Sequence, residues 1–112
     1  MNVKEFLKDN VLLLDGGTGT LMIEGGLALG EAPERWNVSR ADFVTAIHKA
    51  YFDAGSNAVC TNTFGANPLK FDERELETLV KAAVENADAA RTASIGKQPK
   101  FIALDIGPLG KL

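Results

Sequence analysis

Three short apolar runs separated by two segments of helical period constrain this chain more than any other feature. Val11-Leu12-Leu13-Leu14, Asn57-Ala58-Val59-Cys60-Thr61 and Phe101-Ile102-Ala103-Leu104-Asp105-Ile106 are too short for helices and read as strands. The first helix is expected from Ser39 to Gly55, with Phe43, Val44, Ile47, Tyr51 and Ala54 on one face. Ser39 and Asp42 form an acidic version of a capping box, and Gly55 supplies the stop. The second runs from about Asp72 to Ser94, with Leu76, Leu79, Val80, Ala83, Val84, Ala87 and Ala90 along one face. Strands that alternate with helices pair in parallel through right-handed crossovers. The expected architecture is therefore α/β, in the order β-α-β-α-β. Nearly all-apolar strands and an alanine-rich helix predict strands buried on both faces.

Such a set is incomplete by itself. A flavodoxin-like domain needs about five strands, and a (β/α)₈ barrel needs about 250 residues. The 112 residues here give three strands, two bare edges and a single domain or less over residues 1–112. The chain reads as the first part of something larger.

Each strand hands over to a polar loop. The first of these, Asp15-Gly16-Gly17-Thr18-Gly19-Thr20, has a carboxylate and three glycines at the carboxyl end of a strand, where α/β folds place their sites. Glycine has no Cβ to hold a ligand off the backbone, so N–H groups and the Asp15 carboxylate can converge on one small polar molecule. The loop is not a Rossmann fingerprint, because Met22 stands where the third glycine belongs. It is not a P-loop either, because no lysine occurs between Lys8 and Lys49. A tight turn without a ligand is the alternative reading.

Leu21-Met22-Ile23 predicts one or two helical turns, stopped by Gly25-Gly26. Residues 27–37 show no sustained period, and a long irregular segment of that kind is more often a binding loop or lid than a spacer. Trp36, the only tryptophan, is expected to plug the end of the core. His48, the only histidine, lies at the edge of its helix's apolar face and is expected there with a hydrogen bond. The second loop, Asn62-Thr63-Phe64-Gly65-Ala66-Asn67-Pro68, suits ligand contact. The third begins Gly107-Pro108-Leu109-Gly110. Met1 to Asn10 reads as a helical lead-in and not a signal peptide.

Composition excludes several function classes. The net charge is −3 with acids and bases interspersed, so nucleic acid and membrane-surface binding find no support. No run of eighteen apolar residues is present. One cysteine permits no internal disulfide and fits a reducing compartment, so a cytoplasmic location is expected.

In order along the chain, Asp15-Gly16-Gly17-Thr18-Gly19-Thr20, Trp36-Asn37, His48 and Tyr51 with Ala54-Gly55, Thr61-Asn62-Thr63-Phe64-Gly65-Ala66-Asn67 and Ala103-Leu104-Asp105-Ile106-Gly107-Pro108 resemble the homocysteine S-methyltransferase family. The likeness is greatest to the homocysteine-binding barrel at the start of cobalamin-dependent methionine synthases. The resemblance implies a TIM barrel of which this chain holds the first three strands, with homocysteine at the carboxyl end of the strands. It implies a thiol bound to zinc through three cysteines, and a methyl donor set by partner domains or by later parts of the barrel. Methyltetrahydrofolate with cobalamin, betaine and S-methylmethionine all fit as donors. Carried over, Asp15 and Gly16 contact homocysteine, with Asp15 suited to its ammonium, and Phe64 sits nearby. Gly17, Thr63 and Gly107 line the pocket.

The family's zinc cysteines have no counterpart here. Cys60 matches no ligand position and is expected as a small core residue. No catalytic or metal-ligating residue is therefore assigned to this chain, which is expected to position substrate and to be inactive alone. Two further readings stay open. One is a non-catalytic module that self-associates through its open strand edges. The other pairs Asp15 and Asp105 as acid and base.

Overall fold

Helical period and capping chemistry set most of the elements. The computed structural model describes residues 1–109; Gly110 of the expected third loop lies outside them. Helix α1 (Val3–Asp9) opens on Asn2, whose side chain accepts from the Glu5 N–H. Short helix α2 (Gly19–Glu24) follows the glycine loop, and Gly26 leaves it at a positive φ. The segment expected to be irregular contains a 3₁₀ turn (Pro33–Arg35) and one helical turn, α3 (Trp36–Ser39). Helix α4 (Ala41–Asp53) and the long helix α5 (Glu73–Ala93) flank strand β1 (Ala58–Cys60) in the sequence; strand β2 (Phe101–Ala103) follows.

The strands β1 and β2 pair in parallel, with Val59 opposite Ile102. The α/β class with parallel pairing is thus as expected, but the strand count is not. The first apolar run contributes only an isolated parallel bridge, Leu14 to Ala58. The reason lies in one side chain. The Asn57 side chain accepts the Leu13 N–H at 3.0 Å, in place of a backbone carbonyl, so a regular ladder is not propagated. The expected burial of this run on both faces is also corrected: Val11, Leu13 and Leu14 are 81%, 57% and 60% exposed. Leu104 and Ile106, placed in the third strand, are exposed beyond the end of β2.

The first long helix starts later than its sequence suggests. Ser39 does not cap it, because its hydroxyl turns back to the Arg35 carbonyl at 3.1 Å and ends α3 instead. Arg40 makes the break, and α4 begins at Ala41 without a side-chain cap. At the other end the expectation holds. Gly55 at φ 112° lets Gly55 N–H reach Phe52 O and Ser56 N–H reach Tyr51 O, which satisfies the last carbonyls. Helix α5 is capped by Asp72, which accepts from Glu75 N–H at 2.8 Å.

The core forms where α4 and α5 cover the sheet. Phe52, Val59, Ala87 and Ala90 are wholly buried together, the small alanines letting α5 approach closely. A second cluster joins Met22, Trp36, Val44 and Ile47. Trp36 is 3% exposed and meets Phe43 edge-on, so it fills the core as expected. Val84 is the exception on α5, being exposed where Asn86 is buried. Among the described residues no helix is long and apolar enough to cross a membrane.

His48 departs from expectation. It is 1% exposed rather than at a boundary, and neither ring nitrogen has a hydrogen-bond partner among the described residues. Burial holds its pKa below the usual histidine value, with the Asp15 charge opposing more weakly. The folded state thus prefers neutral imidazole, while the unfolded chain takes up a proton near pH 6.5. This contribution to stability is complete above that pH and is lost as pH falls toward the lowered folded value. Urea midpoints of the native protein should fall across this window, and His48→Leu should flatten the fall. A slope unchanged by His48→Leu would place its origin elsewhere.

Candidate functional site

The loops at the carboxyl ends of the parallel segments enclose one cleft of about 390 Å³. Its walls are Asp15 to Gly19, Met22, Pro33 and Glu34, Cys60 to Phe64, and Asp105. The sequence thus brings the first loop, the irregular segment and the second loop to one place. Of the residues singled out from sequence, Asp15, Gly16, Gly17, Thr63 and Phe64 line the cleft. Gly107 is not among the lining residues.

Asp15 is fixed from two directions. Its N–H donates to Ala58 O at 2.9 Å, and its Oδ2 accepts the Cys60 N–H at 3.0 Å. The carboxylate therefore closes the end of β1 and still borders the cleft. The glycine loop beside it is clamped by Tyr51, whose hydroxyl donates to Gly17 O at 2.6 Å. A Cβ on Gly16 would stand 3.0 Å from that hydroxyl, so a side chain there would push the clamp back by a few tenths of an ångström. At Gly17 a side chain would meet nothing.

A closed ring of hydrogen bonds holds the second loop. Asp105 N–H donates to Thr61 Oγ1 at 3.2 Å, and Thr63 Oγ1 donates to Asp105 O at 2.7 Å. The two hydroxyls lie 2.7 Å apart. Because Thr63 donates to the carbonyl, Thr61 donates to Thr63, and all three links run in one direction, which strengthens each. Thr63 thus lines the cleft with its hydroxyl already engaged. Phe64 follows, 59% exposed at the rim.

Gly107 acts from behind this rim. A Cβ there would overlap the Phe64 carbonyl oxygen and lie 3.0 Å from the Phe64 ring. Its role in the structure is close approach, correcting the expectation that it lines the pocket. Gly107→Ala should destabilise by about 1–3 kcal/mol through overpacking, read as a lowered urea midpoint. An unchanged midpoint would show that the loops yield freely.

Sequence reasoning missed Glu34 in the cleft wall and Asn37 behind it, and placed Asn62 in the second loop without a role of its own. Glu34 is 4% exposed, and its Oε2 accepts the Gly65 N–H at 3.2 Å. Asn37 is 1% exposed; its amide donates to Asn62 O at 2.9 Å and to Leu79 O at 3.2 Å. Its Oδ1 accepts from Asn62 Nδ2 at 2.9 Å, and its carbonyl accepts from Asn86 Nδ2 at 3.0 Å. The one signal in the sequence was the length of the irregular segment that carries both Glu34 and Asn37.

Cys60 is also corrected, from core residue to cleft wall. Burial first, and then the neighbouring Asp15 carboxylate, push its thiol up to about 11. That is the reverse of what a metal-bound or nucleophilic thiolate needs. Among the described residues no three His, Cys, Asp or Glu side chains gather as a ligand set. The side chains of this cleft therefore do not fit a catalytic zinc, which takes about three protein ligands. As for an acid–base pair, Asp15 and Asp105 line the same cleft, with Asp15 engaged at a backbone amide.

Residues 12–112 match the protein family described as homocysteine S-methyltransferase. The chain is 38% identical to methionine synthase of Mycobacterium tuberculosis (strain ATCC 25618 / H37Rv) over 119 aligned positions, covering 96% of this chain and 10% of that protein. It is 38% identical to methionine synthase of Mycobacterium leprae (strain TN) over 69 positions, covering 56% of this chain and 6% of that protein. Among solved structures it resembles the oxidized form of the homocysteine methyltransferase MmuM from Escherichia coli, with a TM-score of 0.84 and 25% identity. That match covers 96% of this chain and 41% of the other. The metallated form of MmuM matches in fold with a TM-score of 0.82.

Proposed function

The chain belongs to the homocysteine S-methyltransferase family, and from that premise we propose that its cleft binds homocysteine for methylation of the thiol to methionine. In this reading residues 1–112 are the first part of a (β/α)₈ barrel, with the Val11–Leu14 run as its first strand. Asp15 receives the substrate ammonium. Gly16 and Gly17 bring the backbone close to the amino-acid end, while Met22 and Phe64 border the methylene chain. Thr63 and Gly107 hold the Phe64 loop in place. The observation that carries the reading is the convergence of Asp15, Gly16, Gly17, Thr63 and Phe64 on one cleft.

The reaction needs homocysteine as thiolate, because a free thiol with a pKa near 8.5 is mostly protonated at pH 7. Nothing in this cleft supplies that. The residues of this chain orient the substrate, and zinc, where the family uses it, is held by cysteines outside residues 1–112. The chain alone is accordingly inactive. Methyltetrahydrofolate and cobalamin enter through other domains, and the setting is cytoplasmic.

Calorimetric titration of the native protein with L-homocysteine tests the assignment. Saturable one-to-one binding is expected, and absence of binding in zinc-containing buffer would overturn it. A second reading draws on the exposed Val11, Leu13 and Leu14 edge: a non-catalytic module that self-associates there. Light scattering of residues 1–112 distinguishes the two, since a folded homocysteine-binding oligomer would favour the module.

A further inference from the structure

A carboxylate accepts hydrogen bonds on both oxygens, so one held in a cleft wall by a single oxygen can still receive a ligand donor on the other. Glu34 is such a case. Its side chain lies in the cleft wall with the residue 4% exposed, and Oε2 takes the Gly65 N–H. Oε1 has no hydrogen-bond donor among the described residues; it stands beside Gly65, 3.1 Å from where a Cβ would be. Lys70 Nζ stands equally close to that point, at 3.1 Å, without forming an ion pair with Glu34. The carboxylate is anchored by one oxygen and leaves the other for a ligand.

We propose that Glu34 is a substrate-binding residue whose Oε1 receives the ammonium group of an amino-acid ligand, so that the cleft recognises a cation with two carboxylates, Asp15 and Glu34. The inference rests on the homocysteine reading above and names a further specificity determinant for it. A primary ammonium has three donors. One carboxylate leaves donors unspent; a second, lining the same cleft, takes another and disfavours ligands that lack the amine. The anchoring bond to Gly65 holds Oε1 in place, so little side-chain freedom is lost on binding.

The test compares L-homocysteine with 4-sulfanylbutanoate, which lacks only the amine, in calorimetric titrations of the native protein and of Glu34→Gln. Glutamine keeps an acceptor for the Gly65 N–H and removes the charge. Homocysteine affinity should fall about tenfold or more, as for loss of a charge-assisted hydrogen bond, with 4-sulfanylbutanoate affinity unchanged. Equal homocysteine affinity in both proteins would overturn the inference and leave the homocysteine reading standing. An equal loss for both ligands would overturn it too, assigning Glu34 a purely structural role. No binding of homocysteine to the native protein would defeat both. If Glu34→Gln does not fold, Glu34→Asp, which withdraws the charge by one methylene, should show the same selective loss, and a non-selective one would overturn the inference.

Discussion

Asp15→Asn is expected to weaken homocysteine binding by roughly ten- to a hundredfold, the range for losing a hydrogen bond to a charged group. Asparagine is the informative replacement because the carboxylate has two duties. Its Oδ2 accepts the Cys60 N–H at 3.0 Å, and an amide oxygen can keep that bond. What asparagine removes is the charge that faces the cleft. Alanine would remove both and confuse a structural loss with a binding loss, since an orphaned strand N–H costs about 1–3 kcal/mol. Zinc content of the native protein should stay unchanged in Asp15→Asn. Unaltered homocysteine affinity would sink the assignment of Asp15 to the ammonium. A fall in zinc content would mean that Asp15 serves the metal.

The largest effect on stability is expected at Asn37. Replacement by alanine should cost about 3 kcal/mol, because each buried partner left without a hydrogen bond costs roughly 1–3 kcal/mol. The side chain is 1% exposed and donates to two carbonyls, one in the second loop and one in α5. It also accepts from Asn62, a residue of the cleft wall. Asn62 in turn donates to Pro33 O at 2.8 Å. The asparagines thus tie α3, α5, the 3₁₀ turn and the second loop at one buried point. Asn37→Asp should cost nearly as much despite its equal size, because a carboxylate cannot donate to the two carbonyls. Urea denaturation reads both variants. A loss below about 1 kcal/mol in each would show that water replaces the network.

Some of this was legible in the sequence. The period of Leu79, Ala83, Ala87 and Ala90 located α5, and Asp72 and Gly55 marked helix ends, because capping chemistry is set by nearest neighbours. The glycine loop after Leu14 and the polar loop after Cys60 pointed to a site, since parallel strands present their carboxyl-end loops together. The resemblance in the five motifs gave the family, which the match over residues 12–112 bears out. Those signals are local, or carried by whole motifs.

What tertiary structure decided is which of several possible partners each polar group met, most of them far along the chain. Ser39 had two bonding options, and the turn that buries Trp36 placed it beside the Arg35 carbonyl instead of at the start of α4. Asn57 claimed the Leu13 N–H across 44 residues and reduced a predicted strand to one bridge. His48 went from helix edge to core. Cys60 went the other way, from core to cleft wall, because the cleft opens at the end of β1. Glu34, from an irregular segment, reached the site only once Gly65 offered it an N–H from 31 residues away. Period and capping name the elements; which polar atoms finish bonded to which is settled when distant segments meet, since a buried group takes whichever partner the packing brings within reach.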